Sequence, residues 1–433
     1  MHRIHWSAAP ADASPVQKRN FLNVQVDAVG VGLASAAAPF LPVFLARLGA
    51  TNTQVGLLTA MPAFTGLFLA IIIGRFLQRR RQVVPWFSAA RLLNISAYAM
   101  TGIVPFLVPR EYAVVAVLAI WATVTIPQTL TNVAFSVVMN AVAGPRGRYD
   151  LLSRRWSILG LTTAVAVACV GKVLDALSFP FNYQVVFMSL SVGGLVSYYF
   201  SSHIKLPDTE PPVLTAGQSV RQRFQGFVNL IRGENAFVAF TAKRLVYMTG
   251  TALALPLVPL YLVREVQASD AWIGAITMTQ TAVALVGYII WTRQSRKRGS
   301  RFVLLATTLG MAFYPILMAL THRLEVLVIF AALAGIFQAG QDLVFFDELL
   351  KTVPPKYSAT FVSLAQSLEY LSRVAAPIIG TILADQFGLG LGLVLSGVLR
   401  MIGFGLFMRR PPLQTALVAA VLPVQPAQGD GGP

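Results

Sequence analysis

The chain holds twelve apolar runs, each about as long as the twenty residues a helix needs to cross a hydrocarbon core. They lie near 22–46, 54–74, 84–107, 113–140, 156–177, 183–203, 236–262, 271–292, 302–321, 325–349, 358–384 and 388–408. A helix satisfies its own backbone groups, so such runs are stable in lipid and would be exposed apolar surface in water. Charge agrees: only 12% of residues are charged, against about 25% in soluble domains. That is too few to coat a water-facing surface. The expected fold class is an all-α integral membrane protein with twelve transmembrane helices.

A net charge of +17 could point to nucleic acid, but its placement argues for topology. Arginines and lysines crowd the tail before the first run and the segments 75–83, 141–155, 205–235, 293–301 and 409–410. The loops on the other side hold only Arg47, Arg110, Arg264 and Arg323. Lys/Arg excess marks the cytoplasmic side, so both termini are expected there, in a multi-pass protein of the inner membrane. No basic patch interleaved with aromatics adds a nucleic-acid reading. Met1–Asn20 is polar, and the first run is too long for a signal peptide, so no cleaved leader is expected. Cys169 is the single cysteine, which excludes an intrachain disulfide.

The longest polar stretch, 205–235, divides the runs six and six. The expected organisation is a tail at 1–20, a bundle at 21–204, the linker, a bundle at 236–409 and a tail at 410–433. Within the linker, Val220, Phe224, Phe227 and Ile231 share a helical face, while Arg221, Arg223 and Arg232 lie elsewhere. Such a helix would rest in the membrane interface; a solvated linker is the plainer reading.

The halves repeat. Pro39-Phe-Leu-Pro42-Val-Phe-Leu45-Ala-Arg47 returns 217 residues later as Pro256-Leu-Val-Pro259-Leu-Tyr-Leu262-Val-Arg264. At 218, Gly56 meets Gly274 and Arg75 meets Arg293; at 210, Gln128 meets Gln338, Asn132 meets Asp342 and Asp175 meets Asp385. Six spans separate equivalent helices, so both halves insert in the same direction, as a parallel repeat about an axis along the membrane normal.

This architecture resembles the major facilitator superfamily (MFS) over nearly all of 21–408. The loop Gly74-Arg75-Phe76-Leu77-Gln78-Arg79-Arg80-Arg81-Gln82 is similar to that family's Gly-x-x-x-Asp-Arg-x-Gly-Arg, with Gln78 in place of the acid. Its repeat, Gln294-Ser295-Arg296-Lys297-Arg298-Gly299-Ser300-Arg301, also lacks the acid. Ala376-Pro377-Ile378-Ile379-Gly380, followed by Leu383-Ala384-Asp385-Gln386-Phe387-Gly388, resembles the family's eleventh helix and its exit. The resemblance implies two six-helix bundles rocking about a central cavity lined by helices one, four, seven and ten. It also implies gating by the basic loops, with Arg75, Arg79, Arg293 and Lys297. The glycine- and proline-rich fifth helix of drug–proton antiporters is not evident around Gly160–Asp175.

Polar residues gather on the expected cavity helices. Gln128, Asn132, Ser136 and Asn140 recur every four residues on the fourth span and form one stripe. The tenth carries Gln338 and Asp342 at the same spacing, with Gln341 between them. A charge at mid-bilayer costs about 2.5–3.5 kcal/mol on insertion scales and marks a pathway by default. Interhelical hydrogen bonding alone is the competing reading. Asp342 has no basic residue one turn away on its span and is the candidate titrating group. Asp347 and Glu348 suit headgroup level. Glu369 and Arg373, four apart, form either a pathway pair or a structural ion pair. Offset 217 sets Asp27 against Arg244, beside Lys243: either a cytoplasmic latch forms between them and breaks, exposing both to water, when that side opens, or Arg244 and Lys243 simply end a helix near phosphate headgroups. The resemblance places the spans of Arg91 and Arg400 outside the cavity, where snorkelling or bonding between helices is expected.

Catalytic signals are thin. His2, His5, His203 and His322 have no metal spacing. The chain contains no phosphate-binding loop and no nucleophile elbow. No enzymatic activity and no cofactor are expected. The expected function is secondary transport of a small organic solute by alternating access, proton-coupled if Asp342 or Asp27 titrates. The rival is a transport-inactive membrane sensor or assembly factor, which the missing acid at Gln78 keeps open. Expected partners are a small-molecule substrate, protons as coupling ion and membrane lipid, with no nucleic acid, and the chain is expected to be a monomer.

Overall fold

A computed structural model describes residues 13–78, 80–206, 234–352 and 358–409, and every regular element among them is an α-helix. The elements are α1 Pro15–Ser35, α2 Phe40–Arg47, α3 Asn52–Gln78, α4 Val84–Leu107, α5 Arg110–Ala176 and α6 Phe181–Ser202. After the linker come α7 Asn235–Arg264, α8 Asp270–Arg298, α9 Ser300–Ala319, α10 Leu324–Lys351, α11 Ser358–Phe387 and α12 Leu389–Met408. The expected linker helix and most of both tails lie outside the described residues.

Three expectations about the spans need correction. The first begins at Pro15, not 22, because Ser14 caps it by accepting from the Gln17 amide and proline at the first helical position needs no donor. It also breaks at Ala36–Pro39, where Pro39 cannot donate, and resumes as α2. The segment 141–155, expected as a loop, is helical throughout, so the fourth and fifth spans form one element, α5. Both ends of α5 nevertheless lie on one side of the bundle. Trp121 donates to Thr101 near the end of α4, and Asn182 at the start of α6 donates to the Leu174 carbonyl. The chain therefore reverses inside α5, and Val142 and Leu151 from its middle share one buried cluster with Phe21, Phe87 and Ile204.

Among the described residues, eleven helical stretches are long and apolar enough to cross a membrane, counting Arg110–Ala143 and Arg154–Ala176 separately and α1 with α2. The twelfth, α11, falls short in hydropathy while holding Gln366, Glu369, Arg373 and Asp385. It packs as the other long helices do, against α3, α7 and α12.

The repeat is visible in the packing. In the first half α1 packs on α6 and α5, α4 on α6 and α5, and α3 on α5. In the second, α7 packs on α12 and α11, α9 on α12 and α10, and α8 on α10. Single contacts repeat too. A Cβ on Gly30 would meet the Gly193 carbonyl at 2.5 Å, and the offsets that map these residues forward give Tyr247 against Gly403, also in contact. Lipid offers no hydrophobic drive for helices to associate, so small residues that let backbones close in carry this packing. Between α11 and α12 the chain turns on Gly388, whose φ of 91° excludes other residues without strain.

Between the halves, α5 crosses α8 and α3 crosses α11. Gly171 meets Gly274 at one crossing and Thr381 meets Gly56 at the other, which are repeat-equivalent pairs. One end of the bundle holds Arg80, Arg81, Arg296, Lys297 and Arg298 and is called the basic end below.

Candidate functional site

The hydrogen bonds that join the halves, among the described residues, gather at the end opposite the basic one. Arg47, at the end of α2, donates from Nε at 3.1 Å and from Nη2 at 2.9 Å to Oδ1 of Asp270, the first residue of α8. Tyr183 of α6 donates to the same oxygen at 2.8 Å. The repeat-related Arg264, at the end of α7, donates to Oδ1 of Asn52 at 2.5 Å and to the Ala50 carbonyl. Asn52 opens α3 and stands 218 residues before Asp270. The pattern extends one layer outward: Asp385 accepts from Asn52 at 2.6 Å and from Thr53, while Asp175 accepts from the Ala271 amide at 3.1 Å. This clasp is one motif used twice, with Asp270 in one copy and Asn52 in the other. An arginine and an acceptor complement the ends of helices whose peptide dipoles favour just these charges, cation at the C-terminus and anion at the N-terminus.

Away from the clasp, polar side chains stand at mid-depth. On α10, Asp342 accepts from the Gln338 amide at 2.7 Å and from the Tyr288 hydroxyl of α8 at 3.1 Å, and the carboxylate is exposed. Asp342 lies about 27 Å along α10 from Leu324. Arg244 of α7 donates to Oε2 of Glu369 at 2.8 Å, and Arg373 donates to Oε1 at 2.6 Å. The Arg244 guanidinium lies 5.6 Å from the ring of Phe345, one turn beyond Asp342, which ties this cluster to the same face of α10. Charged groups at such depth do not face lipid. The exposure of Asn132, Asp342 and Arg373 at this depth marks a cleft between the halves, on the side of the clasp toward the basic end.

The expected residues divide on inspection. Gln338, Asp342, Glu369 and Arg373 come to this cleft with Arg244. On the other wall Asn132 is exposed and Gln128 half-buried, its Oε1 without a partner among the described residues. Gln341, expected on the pathway, is instead buried and accepts from the Tyr247 hydroxyl at 2.9 Å. The latch between Asp27 and Arg244 is not present, and Asp27 is not exposed to water as expected. It is fully buried, accepting from Arg91 at 2.5 Å, from Ser197 at 2.6 Å and from Arg155 at 3.5 Å. A carboxylate so buried needs close cations, and two arginines of its own half supply them, each stacked on an aromatic ring. Arg400 donates to the Met311 carbonyl between helices. Asp347 and Glu348 both pair with Lys351 at the basic end. Arg293 and Lys297 are exposed there. Arg79 lies outside the described residues, as does the side chain of Arg75.

Sequence reasoning missed Tyr288, Tyr183, Asn52 and Asp270. The last two carried a signal, since they obey the offset that relates Gly56 to Gly274.

The family model described as Major Facilitator Superfamily matches residues 243–426. Multidrug resistance protein MdtG of Proteus mirabilis (strain HI4320) is 27% identical over 145 residues, covering 32% of this chain and 36% of the relative. The protein of that name from Serratia proteamaculans (strain 568) is 27% identical over 162 residues, covering 36% and 38%. The chain thus spans little more than a third of the length of these curated relatives. The crystal structure of a D-xylose-proton symporter aligns with a TM-score of 0.69 at 13% identity, covering 92% of this chain and 97% of that one. A bacterial homologue of the human lysosomal transporter Spinster, inward-facing and occupied, aligns at 0.67 with 14% identity, covering 96% and 100%. At these identities the likeness is one of fold. The repeated six-helix halves, the family model over 243–426 and the shared fold agree: the second half is similar in sequence to the major facilitator superfamily, and the chain as a whole is similar in fold to these transporters.

Proposed function

We propose that this protein is a secondary transporter that moves a small organic solute across the inner membrane by alternating access, with its basic end in the cytoplasm. One juxtaposition carries the reading: repeat-related residues close one end of the interface between the halves, and exposed polar groups at mid-depth line a cleft toward the other. A binding site that meets one side at a time needs both features. On this reading the structure is an inward-facing state. Asp342 carries the coupling proton, because its bonded partners among the described residues are the neutral Gln338 and Tyr288, with no cation among them to fix the charged form. Gln128 and Asn132 offer solute contacts on the opposite wall, and Arg293 and Lys297, exposed at the basic end, meet the cytoplasmic leaflet at the mouth.

Flux of a solute panel into proteoliposomes, with and without an imposed pH gradient, tests this. Accumulation that follows the gradient is expected for at least one solute. Intact protein that moves nothing would leave no support for transport.

A further inference from the structure

Each half sets two arginines on one carboxylate, and only one of these sets is sealed. In the first half Arg91 and Arg155 share Asp27, with side-chain exposures of 5%, 3% and 0%. In the second, Arg244 and Arg373 take separate oxygens of Glu369, with exposures of 15%, 49% and 16%. Both sets carry a surplus positive charge. The first is shut inside its bundle, where no solute meets it. The second stands open to the cleft.

Arg373 sits about 21 Å from either end of α11, as deep as that helix allows. A guanidinium at such depth faces water rather than lipid. It spends an Nη2 donor on Glu369, and a guanidinium has five N–H donors in a rigid fork that matches a carboxylate. Its neighbour is also short of acceptors: Arg244 Nε and Thr241 Oγ1 are buried with no partner among the described residues, beside a gap sized for about one water molecule. The repeated scaffold does not demand these charges. The offset that relates Asp175 to Asp385 carries Glu369 and Arg373 back to Leu159 and Thr163, neither of which is ionisable.

We infer that Arg373, held in place by Glu369 with Arg244 behind it, binds an anionic group of the solute, a carboxylate or a comparable monoanion. This names the substrate class of the proposed transport and rests on that reading for the cargo. Charge counting supports a monoanion. Arg244, Arg373, Glu369 and Asp342 sum to zero with Asp342 ionised, and to one positive charge once it is protonated. A monoanion then restores neutrality, so solute and proton load together.

Full-length protein in nanodiscs tests the site directly with acids and their neutral amides: acetate with acetamide, lactate with lactamide, benzoate with benzamide. Thermal-shift titrations should show at least one acid binding tenfold or more tighter than its amide. Arg373→Gln should remove that preference and Arg373→Lys should keep part of it. Equal binding of acid and amide in all three pairs of the unaltered protein overturns the site, whether or not the variants fold. A preference that survives Arg373→Gln overturns it as well. Proteoliposome flux separates this inference from the one beneath it. If neutral or cationic solutes move while carboxylates neither move nor compete, the anion site fails and transport stands. If carboxylates bind through Arg373 and nothing moves, transport fails and the site stands.

Discussion

Asp270→Asn should unlock the clasp, by an amount that follows from its geometry. The carboxylate takes two bonds from Arg47 and one from Tyr183 on a single oxygen, and its side chain is only 6% exposed. Asparagine keeps an oxygen in place but loses the charge. A hydrogen bond to a charged group contributes about 1.5–3 kcal/mol and a neutral one about 0.5–1.5. The difference is about 1–2 kcal/mol, and the 30% exposure of Arg47 favours the lower end through screening. About 1 kcal/mol changes a two-state ratio roughly fivefold, toward the state open at the clasp. Spin labels at Arg110 and Arg323, exposed on opposite halves at this end, would report the shift in a Cys169→Ala background. The repeat-related Arg264→Gln should act in the same direction, and Arg47→Gln added to Asp270→Asn should do little more than either alone. A distance distribution that stays unchanged in a folded Asp270→Asn protein refutes the clasp, as would a shift toward the basic end.

Asp342→Asn should abolish accumulation driven by a pH gradient and leave solute exchange largely intact, because exchange moves no net proton; unchanged uphill uptake would remove Asp342 from coupling. Gly56→Val should hinder closure at the clasp, since even its Cβ would meet Thr381 Oγ1 at 2.7 Å, and overpacking costs about 1–3 kcal/mol; the Arg110–Arg323 distance should lengthen. Asp27→Asn leaves two buried arginines without their carboxylate, and removing one partner of a buried pair costs about 3–5 kcal/mol; a lowered melting temperature is expected, and an unaltered one would contradict the buried network. Cysteine labelling should reach 75–83, 141–155, 205–235, 293–301 and the C-terminal tail only from the cytoplasm, and one such site labelled from outside would reverse the proposed orientation.

Hydropathy and internal offsets made the fold legible because both are properties of long segments. Twelve spans and two halves survive an error of several residues at any boundary. Helix ends do not share that tolerance: the capped start at Pro15 and the helical passage through 141–155 depend on single residues and on tertiary packing. Partner choice was the least legible feature. Asp27 lies 64 positions from Arg91 and 128 from Arg155, and nothing local favours these over Arg244. Symmetry pointed at Arg244, but desolvation decided otherwise, since a fully buried carboxylate takes the cations that its own bundle can bring within reach. Tyr288 in an apolar run reads as a packing aromatic, and only its neighbour across the helix interface reveals the hydroxyl's work. The clasp, by contrast, is written in the offsets 217, 218 and 210, which relate Arg47 to Arg264, Asn52 to Asp270 and Asp175 to Asp385.

The close approach of Gly171 to Gly274 sets unequal lever arms. Gly274 lies four residues from the start of α8, about 6 Å of helix, and twenty-four from its end, about 36 Å. Rotation of one half by about 10° around that point would sweep the basic end through about 6 Å and the clasp end through only about 1 Å, taking the helical rise as the arm length. A modest tilt therefore makes a wide mouth on one side while the opposite side barely parts. Opening the clasp by a similar width would need a fulcrum nearer the middle of the membrane, where Gly160 meets Leu285 and Gly66 meets Tyr370. Two points of support at different depths would make the two gates respond differently to the same rotation.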